Sequence, residues 1–422
     1  MNISTLVFLQ IHPISERDCA RFDFAYLQKH GFAIRVFQIA ALLDLAVERH
    51  AALRNENVDV VNIDSYQQFE AAVAEAAPDS LFLTLTQTDD KMSRVLATLV
   101  DAGARYAQLI LGLLPPFVFT DNNGGESREK PGWSGLMSPH VWARKLSTAK
   151  QQLANSIRLR RCVPDMVVVT GERGLELAEA RWDAATLRER MVFSNCLDHD
   201  LFLEHRARPP QACQPYCVFI DDGFLNHDEL DIFSDLAPSP QRYQREITSF
   251  FDLVEKQTRM PVKIALSPRS SLDLGQSPFG EREVFRDHTP DLIAQCHLVL
   301  AHCSTAIGLA VLFEKPVMLL ETDELVNTRW GPIRGFAAAL DCEVINVSRV
   351  DDIAGIDWSA CNRFSASHYD SYRRNYLSAP TAPPRRFWKI FVDALADRFS
   401  LPGPLQLPCE KIPESIAGES AP

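Results

Sequence analysis

The most informative stretch of the sequence is residues 298–320, which read LVLAHCSTAIGLAVLFEKPVMLL. An apolar run at 298–301 is followed by a short polar turn, an apolar segment of helical composition, a proline and a second apolar run at 317–320. This order predicts strand, turn, helix and strand, the unit that builds a parallel sheet covered by helices. In such a sheet the polar turn lies at the carboxyl end of the first strand, where open α/β sheets bind their ligands.

The same alternation of apolar runs and helical-period segments extends over most of the chain. The apolar runs predict strands at 6–10, 33–37, 58–62, 81–85, 108–113 and 166–169, and again at 216–220, 262–266, 298–301, 317–320 and 343–347. Helical-period segments, such as 244–256 and 290–295, lie between them. The sequence therefore predicts an α/β protein with two doubly wound, Rossmann-like domains that face a cleft.

The length and the proline-containing segment at 206–215 give the domain limits. A chain of 422 residues exceeds one ordinary core, so we predict a first domain at 1–205 and a second at 213–380. The segment 384–398 is predicted to be a closing helix that packs back across the domains. The end of the chain, 401–422, is rich in Pro, Gly, Ser and Glu and is predicted to be disordered.

The overall composition excludes several classes of protein. A hydrophobic fraction of 46% with 23% charged residues is typical of a soluble globular chain, and a net charge of −12 argues against a general nucleic-acid binder. The ten cysteines form no CxxC pair, which predicts reduced thiols and no zinc site. We expect no signal peptide and no membrane span, because the start lacks a basic region and the longest apolar stretch is shorter than about 20 residues. The expected location is cytoplasmic.

One segment leaves two interpretations open. Residues 139–161 have helical periodicity and carry six Lys and Arg side chains. A solvated helix face is one interpretation, and contact with an anionic acceptor or with the inner membrane surface is the other.

Ser304 and Thr305 form the polar turn of the 298–320 stretch. Backbone N–H groups at the start of a helix favour phosphate, and the two hydroxyls add donors. Gly308 and Ala310 are expected to let the helix pack close to the sheet. The alternative is that Ser304 only caps the helix.

This stretch resembles the phosphate-binding Ser/Thr motif of bacterial GT-B glycosyltransferases that use CMP-activated ulosonic acids. These are sialyltransferases, polysialyltransferases and the β-Kdo transferases that build lipopolysaccharide, O-antigen and capsule. Shorter segments are similar to the β-Kdo group: residues 15–18 with Arg21 and Phe22, residues 195–203, residues 218–221 with His227 and Asp228, and Tyr369, Tyr372, Tyr376, Phe387 and Trp388. Together these fragments cover most of the chain.

The resemblance implies a division of labour between the domains. The first domain would bind a glycan or lipid-linked glycan acceptor, and the second would bind a nucleotide-sugar donor carrying Kdo or a sialic-acid-like sugar. No cofactor is expected beyond the CMP-sugar donor as substrate. The partners implied are the donor, the acceptor and, at the membrane, a polysaccharide assembly complex.

The sequence departs from this family after the 262–266 strand. The family carries a His-Pro dipeptide there, whereas this chain has Ser267 and Pro268. A hydroxyl can donate a hydrogen bond but carries no charge at neutral pH, so Arg269 is a candidate for the missing positive charge. The alternative is that the donor or the activity differs from the family's.

The resemblance also implies a carboxylate nucleophile at the end of the first strand of the second domain. Asp221 is the first candidate and Asp222 is its neighbour and competitor. The alternative is an Asp-Asp-Gly turn that forms for backbone reasons.

Further candidates complete the predicted site. Glu16 or Asp18 is expected to be the general base on the acceptor side, with Arg17 and Arg21 binding the acceptor. Glu321 follows the 317–320 strand and is expected to meet the nucleotide; the alternative is a solvated acidic turn.

His302 is either a nucleotide contact or a packed imidazole. No metal is predicted, because Asp198 and Asp200 have Asp-x-Asp spacing but fall between the domains.

Two rival functions fit the same sequence. One is a UDP-sugar transferase or a UDP-N-acetylglucosamine 2-epimerase on the same architecture. The other is a noncatalytic glycan-binding member of a polysaccharide assembly complex, for which Ser267 is the best argument.

Overall fold

The computed structural model describes residues 2–45, 57–85, 90–115, 161–209, 213–225, 239–268, 270, 272, 277–325, 333–399 and 401. Within these ranges the chain forms two separate parallel sheets with helices between the strands. Each sheet has buried apolar clusters on both faces. The predicted two-domain, Rossmann-like α/β architecture is therefore confirmed.

The first sheet has seven parallel strands in the order β3-β2-β1-β4-β5-β6-β7. These strands are β1 (Thr5–Gln10), β2 (Ala33–Gln38), β3 (Val58–Asn62), β4 (Ser80–Thr84), β5 (Arg105–Ile110), β6 (Met166–Thr170) and β7 (Met191–Ser194). The helices along this part of the chain are α1 (Glu16–Arg21), α2 (Phe24–Lys29), α3 (Tyr66–Ala76), α4 (Asp90–Asp101), α5 (Gly171–Arg181), α6 (Ala184–Arg188) and α7 (Leu197–Arg206), with a short 3₁₀ turn at Ala40–Leu43. The strand order reverses between β1 and β4, which creates a crevice at their carboxyl ends.

The second sheet has six parallel strands in the order β10-β9-β8-β11-β12-β13. These strands are β8 (Cys217–Ile220), β9 (Val262–Ala265), β10 (Val284–Phe285), β11 (Leu298–Ala301), β12 (Val317–Glu321) and β13 (Val344–Asn346). The helices are α8 (Pro240–Thr258), α9 (Thr289–Gln295), α10 (Ile307–Leu312), α11 (Ile333–Leu340), α12 (Val350–Ala354), α13 (Ala366–Tyr372), a π-helical turn (Arg373–Leu377) and α14 (Phe387–Arg398). The order reverses between the adjacent strands β8 and β11, so the second crevice lies there.

Two strands, β7 and β10, are not among those predicted, because their apolar runs are only three and two residues long. β7 alternates half-buried and buried residues, and β10 has only two residues, both half-buried. β5 was predicted three residues too late, since the apolar sequence continues past its end through Leu111 and Leu113. These two leucines line an interdomain pocket instead of extending the strand.

The chain crosses back to the first domain after the π-helical turn. The Cys196 N–H donates to the Leu377 carbonyl at 2.7 Å, and the Ala379 N–H donates to the Ser194 carbonyl at 3.1 Å. Helix α14 then packs in the core of the first domain, where Trp388 contacts Phe8. Tyr369, Tyr372 and Tyr376, by contrast, pack in the core of the second domain.

The described helices include none that is both long and apolar enough to cross a membrane. The nine cysteines within the described ranges are all free thiols.

Candidate functional site

The crevice of the second sheet brings together the residues that follow β8, β9 and β11. Ile220 pairs with Ala301 on one side and with Ala265 on the other. Asp221 therefore emerges beside His302 and close to Ser267. The crevice thus combines the predicted acid with the turns that carry the predicted nucleotide-binding residues.

Asp221 is a buried acid that directly follows β8. Its side chain is only 2% exposed, and neither carboxylate oxygen has a hydrogen-bond partner among the described residues. Burial raises its pKa to about 6, and the amides of Gly223 and Ser267 offset part of this effect without reaching hydrogen-bonding geometry. At neutral pH the carboxylate is mostly ionised and available for chemistry.

Asp222 accepts a hydrogen bond from the polar turn that follows β11. Its Oδ2 accepts a hydrogen bond from the Cys303 amide at 3.1 Å. Burial raises its pKa to about 7; the Cys303 amide lowers it, the charge of Asp221 raises it and the Ser304 hydroxyl lowers it. The two adjacent carboxylates repel each other, and this repulsion together with burial favours a proton shared by the pair.

The turn after β11 contains backbone N–H groups without an acceptor among the described residues. The Ser304 hydroxyl accepts from the Ala306 amide at 3.3 Å, and helix α10 starts only at Ile307. The amides of Ser304 and Thr305 have no acceptor within the described part of the chain, and Thr305 is exposed. Consecutive N–H groups in a turn can form a concave anion site.

Gly308 has a different role from the one predicted. A methyl group at this position would lie 3.0 Å from Leu377 Cδ2 and 3.9 Å from Asp198 Oδ2. The bare face of α10 therefore meets the crossing segment and helix α7, and close packing against the sheet is not what requires the glycine.

The assignment of His302 to the nucleotide is corrected by the structure. The ring is fully buried, with Nε2 2.8 Å from the Tyr243 hydroxyl and Nδ1 2.6 Å from the Leu320 carbonyl oxygen. Burial lowers its pKa to about 4, so the imidazole is neutral: Nδ1–H donates to Leu320, and Nε2 accepts from Tyr243. His302 is the packed imidazole of the alternative interpretation.

Glu321 is also engaged within the protein. It is buried and accepts a hydrogen bond from Arg334 Nη2 at 2.9 Å. Ser267 and Pro268 are half-buried at the end of β9, beside Asp221. Arg269 lies outside the described residues.

Of the residues predicted to bind or activate the acceptor, Arg21 lines the interdomain pocket, and the others do not. Asp18 is part of a capping box, in which its Oδ2 accepts from the Ser15 amide at 3.0 Å and from the Ser15 hydroxyl at 2.7 Å. Glu16 is exposed, and neither acid lines the interdomain pocket. Arg17 is exposed on the same helix. Arg21 does line the pocket.

This pocket, of about 140 Å³, is formed by both domains. Its wall is mostly apolar and contains two charged side chains. The lining residues are Arg21, Phe22, Leu85, Leu111, Gly112, Leu113, Leu114, Cys196, Leu197, Asp198, Thr305, Tyr372, Tyr376 and Leu377. An apolar pocket with a few convergent polar groups is the usual form of a small-molecule site.

Within the described ranges, no cluster of three or more His, Cys, Asp or Glu side chains could hold a metal ion. Asp198 and Asp200 lie on the first turn of α7 but do not converge, because Asp200 accepts from the Phe387 amide at 2.8 Å.

Comparison with known proteins gives similarity of fold. No protein-family model matches the chain, and no curated protein matches it in sequence. Solved structures of similar fold include the wall teichoic acid polymerase TagF, with 11% identity, 94% of this chain and 89% of that chain covered, and a TM-score of 0.49. Others are S. aureus MnaA with UDP (11% identity, 96% and 100% covered, TM-score 0.47) and the UDP-GlcNAc 2-epimerase from Neisseria meningitidis bound to UDP-GlcNAc (12%, 94% and 100%, 0.45).

Sequence reasoning missed Asp198 as a pocket residue. In the sequence, Asp198 belongs to an Asp-x-Asp spacing and to the 195–203 segment that resembles the β-Kdo group, and neither pattern by itself predicts a pocket residue. The available signal was an acid two residues into a helix that follows a strand end, which is a common place for cleft residues in α/β folds.

Proposed function

We propose that this protein is a glycosyltransferase that moves a ulosonic acid, Kdo or a sialic-acid-like sugar, from a CMP-activated donor to a surface-glycan acceptor. The observation that carries the proposal is the buried Asp221 carboxylate, which has no hydrogen-bond partner among the described residues and lies beside the Ser304–Thr305 turn at the reversal point of the second sheet. The choice of CMP and of a ulosonic acid rests on the resemblance of residues 298–320. The proposed site of action is the cytoplasmic face of the inner membrane.

The acid has the properties of a nucleophile. A carboxylate that is poorly solvated and accepts no hydrogen bond has no partner to give up when it attacks a carbon atom. A pKa of about 6 leaves it mostly ionised at pH 7. Its position directly after β8 holds it on a rigid element, which favours a fixed reaction geometry.

In the proposed reaction Asp221 attacks the anomeric carbon of the donor. The bond from this carbon to the phosphate oxygen breaks, and CMP leaves with the electron pair. The acceptor hydroxyl then attacks the same carbon, displaces Asp221 and gives its proton to a base, so the configuration is retained.

The departing phosphate would be held by the turn. The amides of Ser304 and Thr305, with the two hydroxyls, supply donors without the need for charge. Asp222 would lie next to this phosphate, and its raised pKa would reduce the repulsion between the two groups. Ser267 is a further donor in the place of the family's histidine.

The test is donor cleavage. Wild-type protein is incubated with CMP-Kdo, with CMP-N-acetylneuraminic acid and with UDP-N-acetylglucosamine, and released nucleotide is measured. We expect CMP release from a CMP donor, and a loss of about 100-fold or more in Asp221→Asn and a smaller loss in Ser304→Ala. Asp64→Asn, which removes an exposed acid beyond the end of β3, is the control and should retain wild-type turnover.

Three outcomes would contradict the proposal. Wild-type turnover in Asp221→Asn removes this residue from the catalytic role. A rise in melting temperature with UDP but not with CMP favours the UDP-sugar enzyme. Glycan binding without cleavage of any donor favours the noncatalytic alternative.

A further inference from the structure

Among the residues that the structure describes, Asp198 is the only acid that lines the pocket between the domains. Its side chain is 18% exposed, and Oδ1 lies 3.9 Å from Arg21 Nη2. No hydrogen bond from the described residues reaches this carboxylate. Helix α7 is capped at Cys196 without a side-chain hydrogen bond, so Asp198 is not used as a cap.

The second carboxylate oxygen of Asp198 faces the other domain. A methyl group built at Gly308 on α10 would lie 3.9 Å from Oδ2. Thr305, three residues before Gly308, lines the same pocket as Asp198. The carboxylate therefore lies at the domain boundary, next to the turn that would hold the donor phosphate.

The groups around Asp198 shift its pKa in opposite directions. Burial raises the pKa of Asp198, while the guanidinium groups of Arg21 and Arg17 lower it. The other titratable neighbours, Cys196 and Tyr372, are buried groups whose raised pKa values keep them neutral. A carboxylate of raised basicity, held close to two cations and without a hydrogen bond from any described residue, is suited to accept a proton.

We propose that Asp198 is the general base for the acceptor and that Arg21 positions it. This inference rests on the proposed function. In the second step the acceptor O–H proton passes to Asp198, a bond forms between the acceptor oxygen and the anomeric carbon, and the bond from that carbon to Asp221 breaks. The acceptor is thus a sugar hydroxyl bound between α1, α7 and the turn after β11, and water can take its place.

Because water can replace the acceptor, hydrolysis of CMP-Kdo and of CMP-N-acetylneuraminic acid tests the inference without a known acceptor. In Asp198→Asn we expect steady-state hydrolysis to fall by about 10²- to 10⁴-fold, the range for removal of a general base. The first CMP per enzyme molecule should still be released at the wild-type rate, and CMP should raise the melting temperature as in wild type. Asp200→Asn, two residues along the same helix and outside the pocket, is the matched control and should hydrolyse donor normally.

Arg21 is tested by a pair of variants. Arg21→Gln should lower steady-state hydrolysis without changing the first turnover, and Arg21→Lys should recover part of the loss because it restores the positive charge. If Arg21 had a purely structural role, Arg21→Gln and Arg21→Lys would show equal losses of steady-state hydrolysis.

The outcomes separate the two proposals. Steady-state hydrolysis within about threefold of wild type in Asp198→Asn overturns the inference and leaves the proposed function intact. Loss of the first turnover as well assigns Asp198 to donor cleavage and also overturns it. Wild-type protein that cleaves no donor overturns the proposed function, and the inference with it.

Discussion

Asp221 and His302 directly follow adjacent strands, and burial shifts their pKa values in opposite directions. It raises the pKa of the acid to about 6 and lowers that of the imidazole to about 4. Both shifts have the same cause, because a poorly solvated site penalises the charged form of either group. The difference lies in the partners: His302 has one for each ring nitrogen, and Asp221 has none within the described residues.

This difference gives a pH-dependent stability effect for Asp221. Its pKa is higher in the folded protein than in the unfolded chain, so its stabilising contribution is complete below about pH 4 and is lost as pH rises through 6. Asp221→Asn removes the cost of the buried charge. The variant should therefore gain about 2 to 3 kcal/mol relative to wild type between pH 4 and pH 7.5, since one pKa unit equals about 1.4 kcal/mol.

Urea unfolding of both proteins at several pH values measures this gain. Glu70→Gln, which removes an exposed acid on α3, controls for the loss of one negative charge. A constant difference between Asp221→Asn and wild type across this pH range would contradict the prediction.

A second residue-scale prediction concerns the support of His302. Tyr243→Phe removes the hydroxyl that lies 2.8 Å from Nε2 and leaves a buried acceptor unpaired. We expect a loss of about 1 to 3 kcal/mol in the free energy of unfolding, with CMP binding unchanged, because the imidazole faces the core. Chemical denaturation and the thermal shift with CMP measure the two quantities. If Tyr243→Phe bound CMP more weakly but were as stable as wild type, His302 would have to be assigned to the nucleotide site.

At the scale of elements, the close approach of α5 to the π-helical turn joins the two domains. Gly171 has a φ of 72°, and a Cβ atom there would lie 2.3 Å from the Asn375 carbonyl oxygen. Both the backbone conformation and the contact with a neighbouring backbone require glycine. The start of α5 can thus touch the segment that carries Tyr376 and Leu377 to the pocket.

Gly171→Ala should therefore lower the free energy of unfolding much more than an alanine at another glycine with positive φ. Gly103 has a φ of 69° with nothing within 4 Å of its Cβ position, so Gly103→Ala measures the backbone strain alone, about 1 kcal/mol. Gly171→Ala adds overpacking against backbone atoms and should cost at least a further 1 to 3 kcal/mol. Urea unfolding of both variants checks this difference, and equal losses would show that the segment moves aside without cost.

At the scale of the molecule, helix α14 completes the first domain. Trp388 is 1% exposed, contacts Phe8 and Phe22, and donates its indole N–H to the Arg21 carbonyl at 3.4 Å. Helix α14 therefore packs against the end of α1, and Arg21 at the end of α1 lines the interdomain pocket. The packing of α14 in the first domain is thus connected, through α1, to the position of Arg21 in the pocket.

Trp388→Ala should cost about 3 to 5 kcal/mol, the usual effect of deleting a buried tryptophan. Trp358 is half-buried against Phe250 in the second domain, so Trp358→Ala is the control and should cost less. Denaturation followed by tryptophan fluorescence measures both. Similar losses for the two variants would mean that α14 adds little to the first domain.

The sequence predicted most strands of both sheets because their cores are continuous apolar runs. Strands 58–62 and 298–301 have the predicted bounds, and Asp221 lies where its position after an apolar run placed it. It could not distinguish Asp18 from Asp198. Both are acids near the start of a short helix, and only the capping box, which engages Asp18, and the lining of the pocket, which includes Asp198, separate them.

What the sequence determined by itself was the doubly wound architecture and the edge at which its polar turns lie. Apolar periodicity is a local property, and parallel strands bring their carboxyl ends to one edge whatever the rest of the fold does. What only the tertiary structure decided was which polar side chains at that edge remain available. His302 and Glu321 are occupied by Tyr243, Leu320 and Arg334, whereas Asp221 and Asp198 accept no hydrogen bond from the described residues. The partner of a polar group comes from distant parts of the chain, so its availability for chemistry depends on packing that local sequence does not encode.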